Sequence, residues 1–459
     1  MKQVDFEHGR TLTNIFKTAI PMLVAQILNL LYNIVDRIYI ARIPKIGTVA
    51  LGAVGLCFPI VILITAFTNM YGSGGAPLFS IARGRGDREE AQGIQNTSFF
   101  LIIVTAIVLI IFGEIFGRPV LSVFGASDAA MVYALPYLRI YLLGTIFSMV
   151  ATGMNPFITA QGFSTVGMTT VIVGAAANIL LDPLFIFALH MGVQGAAVAT
   201  IISQSFSAAY VIRFLFGKKC EFQLKLLSVE EIKTCGFRAT KIIALGTAGF
   251  MTYFTNAVVQ ISCNSVLAHV GGDVYVSVMT IVNSARQMLE TPIIAISEGT
   301  SPIISYNYGA YKFDKIKKSI VIMFTLEMAY TICMWLIIRF APETIIAIFT
   351  NDKTILKDAV PAFNLYFSTF VFMVFQYVGQ IVFKSLGRKG HAIFFSLFRK
   401  VVIVVPLTYM LPYLFNMGIN GVFAAEPISN VVGGMACFIT MIYVVNKIFK
   451  TEGKNAITF

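Results

Sequence analysis

The sequence is poor in charge. Of 459 residues only 12% are Asp, Glu, Lys or Arg, while 57% are apolar. A soluble globule would carry about twice that charge on its surface, so composition excludes a soluble enzyme, a disordered scaffold and a secreted disulfide module. Tryptophan occurs once, and the four histidines (His8, His190, His269, His391) lie far apart. No His-Glu-x-x-His is present, and the six cysteines (57, 220, 235, 263, 333, 437) have no metal-ligand spacing. Four of them fall in apolar stretches and read as small core residues; Cys220 and Cys235 read as reduced loop thiols. Gly-x-x-x-x-Gly-Lys-Ser/Thr is missing as well, which removes nucleotide binding by that route. The run Gly72-Ser73-Gly74-Gly75 lacks the phosphate-loop lysine and reads as a helix end or a close-packing point.

What the chain does have is long apolar runs, at roughly 14–40, 50–71, 95–117, 132–153, 165–189, 193–216, 240–268, 274–298, 318–340, 359–384, 393–415 and 419–447. Each is long enough to cross about 30 Å of hydrocarbon as a helix of about 20 residues. Open sheets cannot cross lipid and barrel strands would alternate polar with apolar, so these twelve runs are expected to be helices. The intervals between them are too short for a soluble domain. The first run follows a charged N-terminus without a small-x-small cleavage pattern, so it reads as a retained span.

The net charge of +12 is a topology signal. Lys and Arg gather at 2–17, 83–88, 218–241, 312–318, 384–400 and 447–454, the last but one including Arg399 and Lys400. The alternate loops hold Arg42, Lys45, Arg118, Arg339, Lys353 and Lys357, roughly a fourfold bias. Basic loops stay in the cytoplasm, so both termini are expected inside a cell membrane, and nucleic acid is not needed to explain the charge.

The chain also repeats itself. Gly74, Pro77, Ser80 and Gly84 recur 225 residues later as Gly299, Pro302, Ser305 and Gly309, and Gly47 and Gly162 recur as Gly272 and Gly387. Met191-Gly192-Val193-Gln194-Gly195 returns as Met417-Gly418-Ile419-Asn420-Gly421. A tandem duplication of six helices follows: a lobe at 1–216, a cytoplasmic linker at 217–239 and a second lobe at 240–459. Six is even, so the halves share an orientation, and the expected fold is an all-α polytopic protein with a pseudo-twofold axis along the membrane normal.

Polar residues inside such spans are expensive and mark function. Gln26, Asn29, Asn33 and Asp36 share one face of the first helix, and Pro21 below them is a candidate hinge. Asn178 and Asp182 stand one turn apart in the fifth span, and Thr200 begins a polar stripe on the sixth. If these helices meet, two carboxyls share one site. They cannot both stay ionised without a proton or a cation such as Na⁺ between them. The repeat offset puts Ile261 and about Leu407 at the corresponding positions, so this constellation belongs to the first half. In the second half Asn256, Gln260, Asn283, Gln287 and Glu290 are candidate substrate contacts. Arg286 and Glu290, four apart, also form an expected ion pair. Glu327 and Glu426 lie in apolar spans with no evident partner in the sequence.

The chain resembles a multidrug and toxic compound extrusion (MATE) transporter from end to end. Pro21 with Asp36, Gly74-x-x-Pro77 after the second span, Asn178-x-x-x-Asp182-Pro183, and Gly195-Ala196-Ala197 with Thr200 carry the likeness. The segment Glu298 to Gly309 is similar to the bacterial multidrug-efflux branch. The resemblance implies two six-helix lobes in a V, in a monomer that exports cationic, amphipathic compounds against H⁺ or Na⁺ by alternating access. Asp36, Asn178, Asp182 and Thr200 would hold the ion, and no other cofactor is implied. The alternative within the same superfamily is a lipid-linked saccharide flippase, which would need a strongly cationic cavity built from residues such as Arg139, Arg213 and Arg286.

Overall fold

The computed structural model describes residues 3–44, 46–349 and 353–456; Lys2 and Lys45, counted above toward topology, lie outside them. The described residues form helices α1 (Thr11–Ala41), α2 (Gly47–Gly84), α3 (Arg88–Val123), α4 (Asp128–Leu143), α5 (Thr145–Ala160), α6 (Ser164–Pro183), α7 (Gly192–Leu215), α8 (Val229–Thr234) and α9 (Gly236–Val270). They continue as α10 (Gly272–Gly309), α11 (Phe313–Phe340), α12 (Pro342–Ile346), α13 (Lys353–Tyr366), α14 (Met373–Ser385), α15 (Lys389–Leu397), α16 (Val405–Tyr413) and α17 (Ile419–Ala456). No strand occurs among the described residues.

Among the described residues nine helices are long and apolar enough to span a membrane unaided, and two further spans are bent pairs. The helices α4 and α5 meet at 52° around Gly144, and the α13–α14 pair bends by 46°. The remaining span is α10, continuous over 38 residues but diluted by polar and charged side chains. Together they make the twelve expected crossings. Several helices outrun lipid: 38 residues rise about 57 Å against about 30 Å of hydrocarbon. For that reason Gly72–Gly75 and Gly74-x-x-Pro77 lie inside α2, not at its end or after it, because the helix continues as a stalk beyond its apolar part.

Contacts divide the chain into two compact units, one of residues 3–8 and 20–250, the other of 9–19 and 251–456. The interval 217–239, expected as a linker, packs with the first unit. Phe222 is buried against Phe79, ring centroids 5.1 Å apart. The Phe222 carbonyl accepts from Gln95 Nε2 at 2.9 Å, and its N–H donates to Gln161 Oε1 at 3.1 Å. The Cys220 thiol donates to the same Gln161 oxygen. Cys220 and Cys235 are therefore buried despite lying between spans.

Both units use a glycine where a crossing helix approaches backbone to backbone. In the first, a Cβ on Gly74 would fall 2.7 Å from Gly246 Cα of α9; in the second, a Cβ on Gly299 would fall 2.8 Å from Ala19 Cα of α1. Real Cβ contacts are never that short, so these repeat-related sites demand glycine. The duplication also persists in the backbone. Positive φ occurs at the offset-related pairs Gly86 and Tyr311, Gly162 and Gly387, His190 and Asn416, and Gly192 and Gly418. A π-helical turn interrupts each half, at Leu184–Ala188 and at Phe398–Val404.

Candidate functional site

In the first unit, α1 carries Asp36 and α6 carries Asp182, and the two carboxyls are in direct contact. Asp182 is fully buried and Asn178 nearly so; Asp36 is half-buried. One helical turn before Asp182, Asn178 donates from Nδ2 to Asp182 Oδ1 at 3.2 Å. Three oxygens then remain buried with no hydrogen-bond partner among the described residues: Asp36 Oδ1, Asp182 Oδ2 and Asn178 Oδ1. Orphaned buried acceptors are rare and need a cause. Two touching carboxyls need a proton or a small cation between them, and either would satisfy these oxygens.

Tyr137 and Tyr141 of α4 face Asp36, stacked with ring centroids 6.1 Å apart, and Tyr32 of α1 joins them. Sequence reasoning missed the α4 tyrosines; their i,i+4 spacing was the available signal. Pro183 ends α6 immediately after Asp182, and the π turn follows. Thr200 is half-buried on α7, its hydroxyl donating to Ala196 O at 2.9 Å. Thus the structure joins Asp36, Asn178 and Asp182 directly, and ties the Thr200 proton to its own helix. Farther along α1, Gln26 is half-buried, Asn29 and Asn33 are exposed, and Asn33 Nδ2 donates back to Asn29 O at 2.6 Å. Among the described residues no cluster of three or more His, Cys, Asp or Glu side chains forms a metal centre.

In the second unit, Asn256 and Gln260 of α9 and Gln287 of α10 are exposed, and Asn283 is half-buried. The expected Arg286–Glu290 ion pair is present, so Glu290 is already engaged. Three expectations need correction. Glu426 is not partnerless: Arg286 Nη1, Arg399 Nη1 and Lys400 Nζ all reach its Oε1, at 3.1, 2.9 and 2.8 Å. Arg399 and Lys400, counted above with the basic loops, are instead buried within the candidate span 389–413, where the carboxylate compensates them. Nor is Glu327 partnerless, since Ser297 Oγ donates to its Oε1 at 2.6 Å. Arg139 lies near Glu114 at 3.5 Å.

A family model described as MatE matches residues 21–184 and 249–410. The relative "Multidrug export protein MepA" of Staphylococcus haemolyticus (strain JCSC1435) is 25% identical over 418 residues, covering 91% of this chain and 90% of the relative. Its namesake in Staphylococcus aureus (strain NCTC 8325 / PS 47) is 23% identical over 420 residues, with 91% and 90% covered. An outward-facing multidrug resistance MATE family transporter of the MOP superfamily superposes with a TM-score of 0.89 at 22% identity, over 98% of this chain and 99% of that one. A MOP superfamily transporter from Pyrococcus furiosus gives a TM-score of 0.89 at 23% identity and the same coverage. Helices long and apolar enough to cross a membrane, the family match and the relatives named as export proteins together define a multi-pass membrane transporter. The family match covers well over half the sequence, and the chain belongs to the MATE family.

Proposed function

We propose that the chain is a cation-coupled antiporter that exports cationic, amphipathic organic compounds from the cytoplasm, driven by inward flow of H⁺ or Na⁺. The observation that carries this reading is the Asp36–Asp182 contact with its three unpartnered oxygens. The relatives named multidrug export proteins support the export of drugs. The protein works as a monomer in the cell membrane, both termini cytoplasmic, with no cofactor beyond the coupling ion.

In the cycle, H⁺ or Na⁺ entering from outside bridges Asp36 and Asp182, with Asn178 orienting Asp182 and Thr200 offering a further oxygen from α7. Neutralising the pair removes its repulsion and changes the packing of α1, which bends about Pro21. The polar face of Gln26, Asn29 and Asn33 then changes its access, and substrate leaves outward. When the site opens inward it loses the ion and the carboxylates separate. Substrate and ion affinities are reciprocally linked, and a potential of about 100 mV supplies about 2.3 kcal/mol per charge moved. In the second unit, Asn256, Gln260, Asn283, Gln287 and Glu290 offer polar contacts along the substrate's route.

The deciding experiment uses proteoliposomes, a fluorescent organic cation and imposed pH or Na⁺ gradients. Wild type is expected to respond to one gradient, which identifies the ion. Asp36→Asn and Asp182→Asn are expected to insert normally yet lose gradient-driven transport. Normal coupled transport by Asp36→Asn would sink the reading.

A further inference from the structure

The second unit contains a charged cluster of which this export cycle employs only Glu290. Arg286 and Glu290 come from α10, Arg399 and Lys400 from the π turn Phe398–Val404, and Glu426 from α17. All three cations converge on one oxygen, Glu426 Oε1, at 2.8–3.1 Å. Arg399 and Lys400 are each 5% exposed and Glu426 2%. Neighbouring residues on an α-helix point about 100° apart, since a turn takes 3.6 residues. The local π turn lets Arg399 and Lys400 address the same atom, and such turns concentrate at functional sites.

The remaining neighbours are accounted for element by element. Tyr366 of α13 accepts from Arg286 Nη1 at 3.0 Å, and Tyr377 of α14 hydrogen-bonds Glu290. Asn430 of α17 accepts from Arg399 Nη1 at 2.7 Å. Cys263 of α9 and Cys437 of α17 complete the ionisable surroundings. With every ordinary charge present, three cations face two carboxylates, leaving one excess positive charge at the depth of an apolar span. A structural ion pair needs no such excess, and hydrocarbon penalises it. The arginines cannot shed their protons, and protonating either glutamate would enlarge the excess. Among the charged members of the cluster, Lys400 alone can bring it to neutrality by giving up a proton, while the neighbouring phenols and thiols would have to become buried anions to do so.

We propose that Lys400, held on Glu426 among Arg286 and Arg399, is a proton-exchange site of the second unit, separate from the Asp36–Asp182 pair. It alternates between an ammonium bonded to Glu426 and a neutral amine. The proton passes to and from water, and no other bond is made or broken. The proposal stands on the cluster's own geometry and holds whichever ion the first unit takes.

The contrast between Lys400→Met and Lys400→Arg tests it on purified full-length protein in detergent. The methionine balances two cations against two carboxylates; the arginine makes the excess permanent. K400M is expected to stay folded and to bind one proton fewer than wild type between about pH 9 and about pH 5, counted by titration. K400R is expected to melt at least about 4 °C below K400M. Equal proton counts in wild type and K400M, or a stable K400R beside a damaged K400M, would make Lys400 a fixed structural cation and overturn the proposal. Wild type labelled with ¹⁵N at lysine Nζ gives a readout without any variant. A neutral-amine resonance within that pH range supports proton exchange, and ammonium signals alone refute it. Loss of drug transport in every sample would count against the export reading while leaving the proton count intact.

Discussion

Glu426 meets three cations through one oxygen, so removing its charge would leave them facing one another in a buried site. Breaking such a set by deleting one partner costs about 3–5 kcal/mol. Glu426→Gln is therefore expected to lower the melting temperature and folded yield sharply. Adding Lys400→Met should recover part of the loss, a coupling that a double-mutant cycle measures. Between α7 and α8, burial pushes the Cys220 thiol up to about 11, against the partial relief of its hydrogen bond to Gln161. The thiolate is the reactive form, so native protein near about pH 8 should alkylate at Cys220 at least about tenfold more slowly than a free thiol. Rising pH should speed the reaction only toward that value, and unfolding should restore it at once; mass spectrometry of the modified peptide reads both. These residues differ in legibility. Asp36 and Asp182 stand out in sequence because acids are rare at lipid depth. Arg399 and Lys400 follow closely on Arg388 and Lys389 at the start of α15, and hydropathy cannot separate a charge at a span's end from one drawn into the span by a distant glutamate.

Helix α1 changes neighbours within its length: residues 9–19 group with the second unit and 20–41 with the first, two residues before Pro21. The proline removes one ladder hydrogen bond, so the change falls where the helix bends most easily. Pro21→Ala is expected to leave thermal stability within about 1 kcal/mol while lowering gradient-driven transport in proteoliposomes; unaltered transport would remove Pro21 as a hinge. Gly299 presses on Ala19 of the same helix, and Gly74 on Gly246 of α9. Gly299→Leu should separate those backbones and reduce folded yield, whereas alanine at the open Gly52 should be silent. Repetition marked these glycines in the sequence without explaining them; the backbone approach supplies the reason. The bends at Gly144 and between Tyr366 and Phe370 were not legible, because an average over a window of apolar residues is blind to direction.

At the scale of the whole chain, duplication and span number were readable because they depend on composition and spacing, which lipid constrains strongly. Where each span ends was not, since helices α2, α9, α10 and α17 of 35–38 residues continue into water. Orientation rests on the same physics. Moving Arg399 and Lys400 from the loops into the cluster lowers the basic count on one side, yet the bias stays above about threefold, enough for the positive-inside rule. Several of those loop charges are also anchored: Arg238 and Lys241 reach Glu90 at 2.7 and 3.6 Å, and Arg83 reaches Glu221 at 3.0 Å. Twelve crossings return the chain to its starting side, so both ends should share the cytoplasm. A fluorescent protein that matures only in the cytoplasm should glow when fused after residue 456, and alkaline phosphatase fused there should be inactive. The phosphatase should become active when inserted between α3 and α4, at Gly125, or between α11 and α13. An active phosphatase at the C-terminus would mean either an odd number of crossings or an inverted chain, and the loop insertions distinguish the two.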